Sequence, residues 1–290
     1  MTDAASAGLP AAPLAALVTC EHGGNRVPAA WRAIFAGHEA LLASHRGWDP
    51  GALEMARDLA AALDAPLLWS DVTRLLADLN RSAHHRSLFS EVTRGLPVAE
   101  RARILDTHWR PWRDAVMTRV AEGVGAGGTV LHLSSHSFTP VLDGVKRPLE
   151  VGLLYDPSRP GERKLCLAWQ AALREAGRWR VRLNRPYRGR ADGLATALRR
   201  LHGPARYLGI ELELNQGVVT DAEAWPALRR DVRDALARAL RDTGLADIAG
   251  VDMTAGQAVG SPSTASSASA RSISASPPHS DGGRSSPQKP

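Results

Sequence analysis

Four times along this chain an apolar run of strand length stops at a knot of small and polar residues. The knots read Val18-Thr19-Cys20-Glu21-His22-Gly23-Gly24-Asn25-Arg26-Val27-Pro28, Leu76-Ala77-Asp78-Leu79-Asn80-Arg81, Leu131-His132-Leu133-Ser134-Ser135-His136-Ser137-Phe138 and Gly209-Ile210-Glu211-Leu212-Glu213-Leu214-Asn215-Gln216. Open α/β sheets build their sites where strands end, so each knot sets chemically able groups where a site forms. An imidazole in the His22 bend is expected to be presented rather than buried.

The rest of the pattern agrees with a sheet fed by helices. Strands are expected over 15–20, 66–69, 73–79, 129–133, 150–155, 181–183 and 206–214. Helices are expected over 28–35, 51–63, 97–123 with a bend at Pro111, 163–176, 191–201 and 221–241. The 51–63 helix follows Asp49-Pro50, an acidic residue and a proline at a helix start. Alternation of this kind favours a single α/β domain, three-layered, with a mainly parallel or mixed central sheet.

At 290 residues with 44% apolar content the chain can bury a real core. From about Val251 onward it is Ser, Ala, Pro and Gly with almost nothing to bury. The expected division is therefore a flexible N-terminus over 1–12, a folded domain over 13–247 and a disordered tail over 248–290. The net charge of +6 is nearly all arginine and has no basic run interleaved with aromatics, which argues against nucleic acid. No apolar run approaches the length of a membrane span. Two distant cysteines, Cys20 and Cys166, with no secretory pattern before them, suit packed thiols in a reducing cytoplasm.

His22 and His136 follow apolar runs beside small residues, and catalytic zinc commonly takes two imidazoles and a carboxylate while leaving a fourth position open. The competing reading is two hydrogen-bonded loop histidines. Glu211, Glu213 and Asn215 alternate with Ile210, Leu212 and Leu214, so the carboxylates share one face of a strand. Either that face meets a site, where one of them serves as general base, or it is a solvated acidic edge. Arg74, Asp78, Asn80 and Arg81 form a third element, in which a guanidinium offers a rigid fork for an acidic substrate.

The order of these motifs resembles the zinc carboxypeptidase clan, and within it the N-formylglutamate amidohydrolase family. The resemblance rests on Glu21-His22-Gly23-Gly24-Asn25 with Pro28, on Asp78-Leu79-Asn80-Arg81, and on Ser137-Phe138-Thr139-Pro140. Arg147 before Gly152-Leu153-Leu154-Tyr155, Asn184-Arg185-Pro186-Tyr187 and Leu212-Glu213-Leu214 add to it; together these motifs span roughly residues 15 to 240. It implies a zinc-carboxypeptidase-like fold and a Zn2+-dependent hydrolase cleaving a small acidic N-acyl amino acid, N-formyl-L-glutamate to formate and L-glutamate, in amino-acid catabolism. It also implies His22 and His136 as metal ligands, Glu213 as the group that activates water, and Asn80 with Arg81 as holders of a substrate carboxylate; Arg74 and Arg147 join them by position.

One departure matters. The clan's pattern places a glutamate three residues after the first histidine, and this chain has Asn25, whose neutral amide is a poor zinc ligand. The nearest carboxylates are Glu21, whose side chain diverges from its neighbour, and Asp49; Asp49 is the favoured third ligand. Two rival readings remain: a metal-free hydrolase with Cys20 as nucleophile and a histidine as base, and a non-catalytic small-molecule binder keeping a degenerate metal site.

Overall fold

The computed structural model describes residues 14–245 together with Arg271–Ser272. The expected flexible N-terminus lies outside the described residues, as does the expected tail apart from that pair. In chain order come β1 (Leu14–Cys20), a 3-10 helix (Ala29–Phe35), α1 (Glu39–Ala43), α2 (Ala52–Ala62), β2 (Leu67–Trp69), α3 (Val98–Ile104), a π-helical turn (Leu105–Trp109) and α4 (Arg110–Gly125). There follow β3 (Thr129–Phe138), a small hairpin of β4 (Val141–Leu142) and β5 (Val145–Lys146), β6 (Val151–Leu154), α5 (Pro160–Glu175) and β7 (Val181–Leu183). The domain closes with α6 (Leu194–Leu201), β8 (Tyr207–Asn215), α7 (Gln216–Val219) and α8 (Ala224–Asp242), and β9 (Arg271–Ser272) lies beyond it. The sheet order is β7-β6-β8-β3-β1-β2 with β9 beside β2; all neighbours are parallel except β6 against β8.

Strand alternation sorts the side chains into two layers. Val18, Leu131, Leu133, Ile210, Leu212 and Leu214 bury against α2, α5 and α8. On the other face Leu17, Val130 and Tyr207 meet Trp112, Val116 and Val120 of α4 and Leu194 and Leu198 of α6. Helices on both faces of a mostly parallel sheet make the three-layer α/β fold that the alternation implies. Among the described residues no helix is long and apolar enough to cross a membrane.

The segment 73–79 is not a strand. Its apolar residues are buried, but Leu75, Leu76 and Ala77 pack into a satellite cluster with Trp31, Phe35 and Ile104. Its backbone N–H groups go to separate loops: Thr73 to the Arg26 carbonyl, Arg74 to Gly47 and Asp78 to Leu88. An apolar run alone does not distinguish this from a ladder. The long helix expected over 97–123 is divided by the π-helical turn just ahead of Pro111, whose ring and missing N–H break the regular bonding there. β3 continues through Phe138, so His136 lies within a strand rather than past its end.

Candidate functional site

β1, β3 and β8 carry polar residues toward their carboxyl ends on one face of the sheet. Register puts Thr19 beside Ser134, Ser134 beside Glu211, and His136 beside Glu213. Immediately after β1 the chain turns through Gly23 and Gly24 onto the backbone of Ser70 and Asp71; a Cβ on Gly24 would stand 2.6 Å from the Asp71 carbonyl oxygen. The glycines thus serve backbone packing that fixes where His22 points. His22 is buried, only 1% exposed, contrary to the expected presented imidazole. Its ring is enclosed because the loops carrying Asp49 and Asp78 close over it.

Asp49, just before α2, receives both rings. Its Oδ2 lies 3.3 Å from His22 Nδ1 and 3.0 Å from His136 Nδ1. The far nitrogen of each ring is also engaged. His22 Nε2 donates to Asp78 Oδ1 at 2.8 Å. His136 Nε2 is 2.8 Å from Ser134 Oγ, and that hydroxyl donates to Glu21 Oε2 at 2.7 Å, which makes it the acceptor from the ring. Nε2 of each ring is thus committed as a donor, and Nδ1 of each faces the same carboxylate oxygen.

Two ring nitrogens and an anionic oxygen converging on one point require positive charge between them, supplied by a proton on Nδ1 or by a metal ion in its place. Donors of this kind at about 2.0–2.2 Å around a tetrahedral metal lie roughly 3.3 Å apart, close to the separations here. His22, Asp49 and His136 could hold a metal ion. The electrostatics run the same way. Burial opposes a charged His136, but its hydrogen bond to Asp49 and the charge of Glu21 outweigh it and raise the ring to about 10. Asp49 and Asp78, despite burial, are held well below the usual carboxylate range by His22 and Arg74.

Behind the rings runs a buried hydrogen-bonded chain. The Tyr207 hydroxyl lies 2.7 Å from His132 Nδ1, His132 Nε2 lies 2.8 Å from Thr19 Oγ1, and Thr19 donates to Glu21 Oε1 at 2.8 Å. Burial keeps His132 neutral, its pKa pushed down to about 4, as a ring with one donor and one acceptor requires. Glu21 collects the hydroxyls of Thr19 and Ser134 and is the carboxylate that backs His136. Sequence reading set Glu21 aside as a ligand without finding this role. It missed His132 and Ser134, and it found Asp78 only as part of a motif.

Glu213 is the unsatisfied member. It is 5% exposed, and its Oε2 is buried with no hydrogen-bond partner. Burial, with the charges of Asp49 and Glu211, outweighs His136 and lifts it to about 8. Glu211, on the same face, is also raised by burial. An orphaned carboxyl beside a donor cluster is placed to exchange protons.

The four polar residues expected around a substrate are arranged differently from one another. Arg74 is committed to carboxylates, donating to Asp49 Oδ1 at 3.0 Å and to Asp78 Oδ2 at 2.7 Å. Asn80 Oδ1 accepts from the Leu194 N–H at the start of α6, and its Nδ2 stands 3.4 Å from His136 Nε2. Arg81 gives one N–H to the Asp192 carbonyl and otherwise lines the cleft above the site. Arg147 donates to the Tyr187 hydroxyl at 3.1 Å and lies over the Tyr187 and Phe138 rings. The cleft has a volume of about 1080 Å³, and Arg74, Asp78, Arg81, Ser137 and Tyr187 are among its walls.

Two alternatives are displaced by geometry. Asn25 is exposed and donates to the Leu42 carbonyl, away from the rings. Cys20 is a free, fully buried thiol whose pKa is raised by burial and by Glu21 and Asp49. A nucleophilic thiol needs the opposite shift.

The family model described as N-formylglutamate amidohydrolase matches residues 14–220. Among solved structures the chain is similar to a gene product of Agrobacterium tumefaciens, with 29% identity, coverage of 79% of this chain and 91% of that one, and a TM-score of 0.69. It is also similar in fold to the N-formylglutamate amidohydrolase of Ralstonia eutropha JMP134, with 21% identity, coverage of 82% and 94%, and a TM-score of 0.54. No curated protein matches.

Proposed function

The chain belongs to the N-formylglutamate amidohydrolase family, and from that premise we propose that it is a zinc-dependent hydrolase of small acidic N-acyl amino acids, cleaving N-formyl-L-glutamate to formate and L-glutamate. The observation that carries the reading is the convergence of His22 Nδ1, His136 Nδ1 and Asp49 Oδ2 with the orphaned Glu213 carboxyl on the adjoining strand.

His22, Asp49 and His136 would hold the zinc, which when bound would polarise the amide carbonyl and lower the pKa of a water. Asp78 and the Ser134–Glu21 pair keep the two rings in the tautomer that binds metal. Glu213 takes a proton from the attacking water and delivers it to the leaving nitrogen, so that the C–N bond breaks to an amine and a carboxylic acid. Its buried position suits both directions of transfer. Arg81 anchors the substrate carboxylate with the N–H groups left after its bond to Asp192. Arg74 keeps Asp49 and Asp78 in place on the cleft floor, Asn80, held through Oδ1 at the start of α6, leaves its amide N–H groups for the substrate, and Arg147 supports Tyr187 in the cleft wall.

The test is zinc content by elemental analysis together with hydrolysis of N-formyl-L-glutamate by the same preparation. About one zinc per chain and turnover abolished by a chelator and restored by zinc are expected. Full activity in a preparation free of metal would overturn the reading.

A further inference from the structure

The cleft is larger and more basic than a single amino acid requires. Its volume of about 1080 Å³ is at the upper end of sites that enclose drug-sized molecules, roughly 300–1,000 Å³, and N-formylglutamate is much smaller. Its arginines also divide into two groups. Arg74 is neutralised by Asp49 and Asp78, and Arg46 by Glu91 at 2.6 Å. Arg86 and Arg94, both exposed, make no ion pair within 4 Å among the described residues, although Arg94 adds to the field that lowers the Glu91 carboxyl.

These two guanidiniums follow Arg81 on one continuous loop, and the loop is pinned. Asp78 N–H donates to the Leu88 carbonyl, while the hydroxyls of Ser90 and Thr93 both donate to the Leu75 carbonyl. Leu88 is fully buried beneath it. The main chain carrying these guanidiniums is therefore fixed before any ligand arrives, so that binding has to order only their side-chain stems. Phe89, Val141 and Leu142 supply apolar surface in the same cleft, suited to the methylene stems of acidic side chains.

We propose that this extension receives acidic residues beyond the first, so that the substrate is an N-acylated acidic peptide of two or three residues, with its first carboxylate at Arg81 and later ones at Arg86 and Arg94. Arg81, Arg86 and Arg94 line one cleft, so a chain that leaves Arg81 on the amino-acid side of the scissile bond has the other two guanidiniums in the same cavity. The inference rests on the hydrolase reading above for the chemistry, but the binding surface stands without it.

Two measurements on the full chain separate the questions. The first is binding of Glu, Glu-Glu and Glu-Glu-Glu by calorimetry, with the glutamine trimer as neutral control. The second is kcat/KM for the corresponding N-formyl compounds. Affinity and kcat/KM should rise roughly threefold or more with each added glutamate at low salt, the scale of exposed guanidinium–carboxylate pairs, and the gain should shrink as salt is raised. The double variant Arg86→Gln, Arg94→Gln should flatten the dependence on length. Equal values across the series, or an equal gain with the glutamine trimer, would overturn the proposal while leaving hydrolysis of the single amino acid intact. Rising affinity for the glutamate series with no hydrolysis of any N-formyl compound would support the acidic extension and reject the hydrolase reading instead.

Discussion

Asp78 Oδ1 lies 2.8 Å from Nε2 of His22, on the side of the ring away from Asp49. The carboxylate is an acceptor only, so it keeps a proton on Nε2 and makes Nδ1 the nitrogen that a metal ion would take. Asp78→Asn exchanges that obligate acceptor for a group that can donate, and it removes half of the clamp on Arg74. The variant should fold and bind zinc tenfold to about 100-fold more weakly, the range for lost partners of metal-binding histidines. Competition with a chromophoric chelator measures it. Unchanged affinity would mean that His22 is oriented by something else.

The donor set makes a sharper division. His22→Ala, His136→Ala and Asp49→Ala each remove one of the three converging atoms, whereas Asn25→Ala removes a bond to Leu42 on the surface. Zinc per chain after gel filtration should fall well below one in the first three and stay near wild type in the fourth. Retention of full zinc by Asp49→Ala would exclude Asp49 and reopen the search for a third ligand.

Glu213→Gln keeps the shape of the side chain and removes its proton exchange. It should hold zinc normally and lose kcat by a factor of roughly 100 or more, as expected for loss of a general base. Glu211→Gln should lose far less, since Glu211 lies one alternation step further from the carboxyl end of β8 and pairs in register with Ser134, whereas Glu213 pairs with His136. A reversed order of the two variants would reverse their roles.

Much of this architecture was legible because it depends on local periodicity. Leu17, Val18, Leu131 and Ile210 announce buried strands, and the alternation of Glu211 and Glu213 with leucines fixes their common face before any fold is known. The partners of the histidines were not legible in the same way. Ser134 and Glu21 are separated by 113 positions, and Tyr207 and His132 by 75; they meet only through the register of parallel strands. A serine or threonine on a buried strand reads from sequence as a weak strand former, and only the neighbouring strand reveals it as a link between a carboxylate and an imidazole. The segment 73–79 failed for a related reason: its apolar residues are buried, but by loops and a satellite cluster whose approach no period encodes.

His108 gives stability a pH dependence that can be isolated from the site. It stacks edge-on to Trp31, and burial, aided by the charge of Arg26, lowers its pKa from 6.5 to about 4. The fold favours the neutral ring, so below pH 6.5 the unfolded chain binds the extra proton and stability falls as pH drops toward about 4. The contribution is up to about 3 kcal/mol across that window. Urea midpoints at pH 7 and pH 4.5 should therefore differ less for His108→Gln than for the wild-type chain. Parallel loss in both would show that His108 titrates normally.

Substrate choice must come from groups that recognise what flanks the amide, because a metal and a base can hydrolyse almost any small amide within reach. Arg81 borders the cleft, is tethered through one N–H to Asp192 and keeps the rest of its fork for a ligand. Tethering matters: a guanidinium already held in one orientation loses less freedom when it grips a carboxylate than a free one does. Lysine would keep the charge but give up both the tether geometry and the paired donors. Arg81→Lys should therefore lower kcat/KM for N-formyl-L-glutamate by roughly tenfold or more, the scale of one charge-assisted hydrogen bond, and the wild-type protein should discriminate similarly against the fully amidated substrate. Equal rates on the acid and the amide would remove the carboxylate anchor from the mechanism, and with it the physical reason for a preference for acidic substrates.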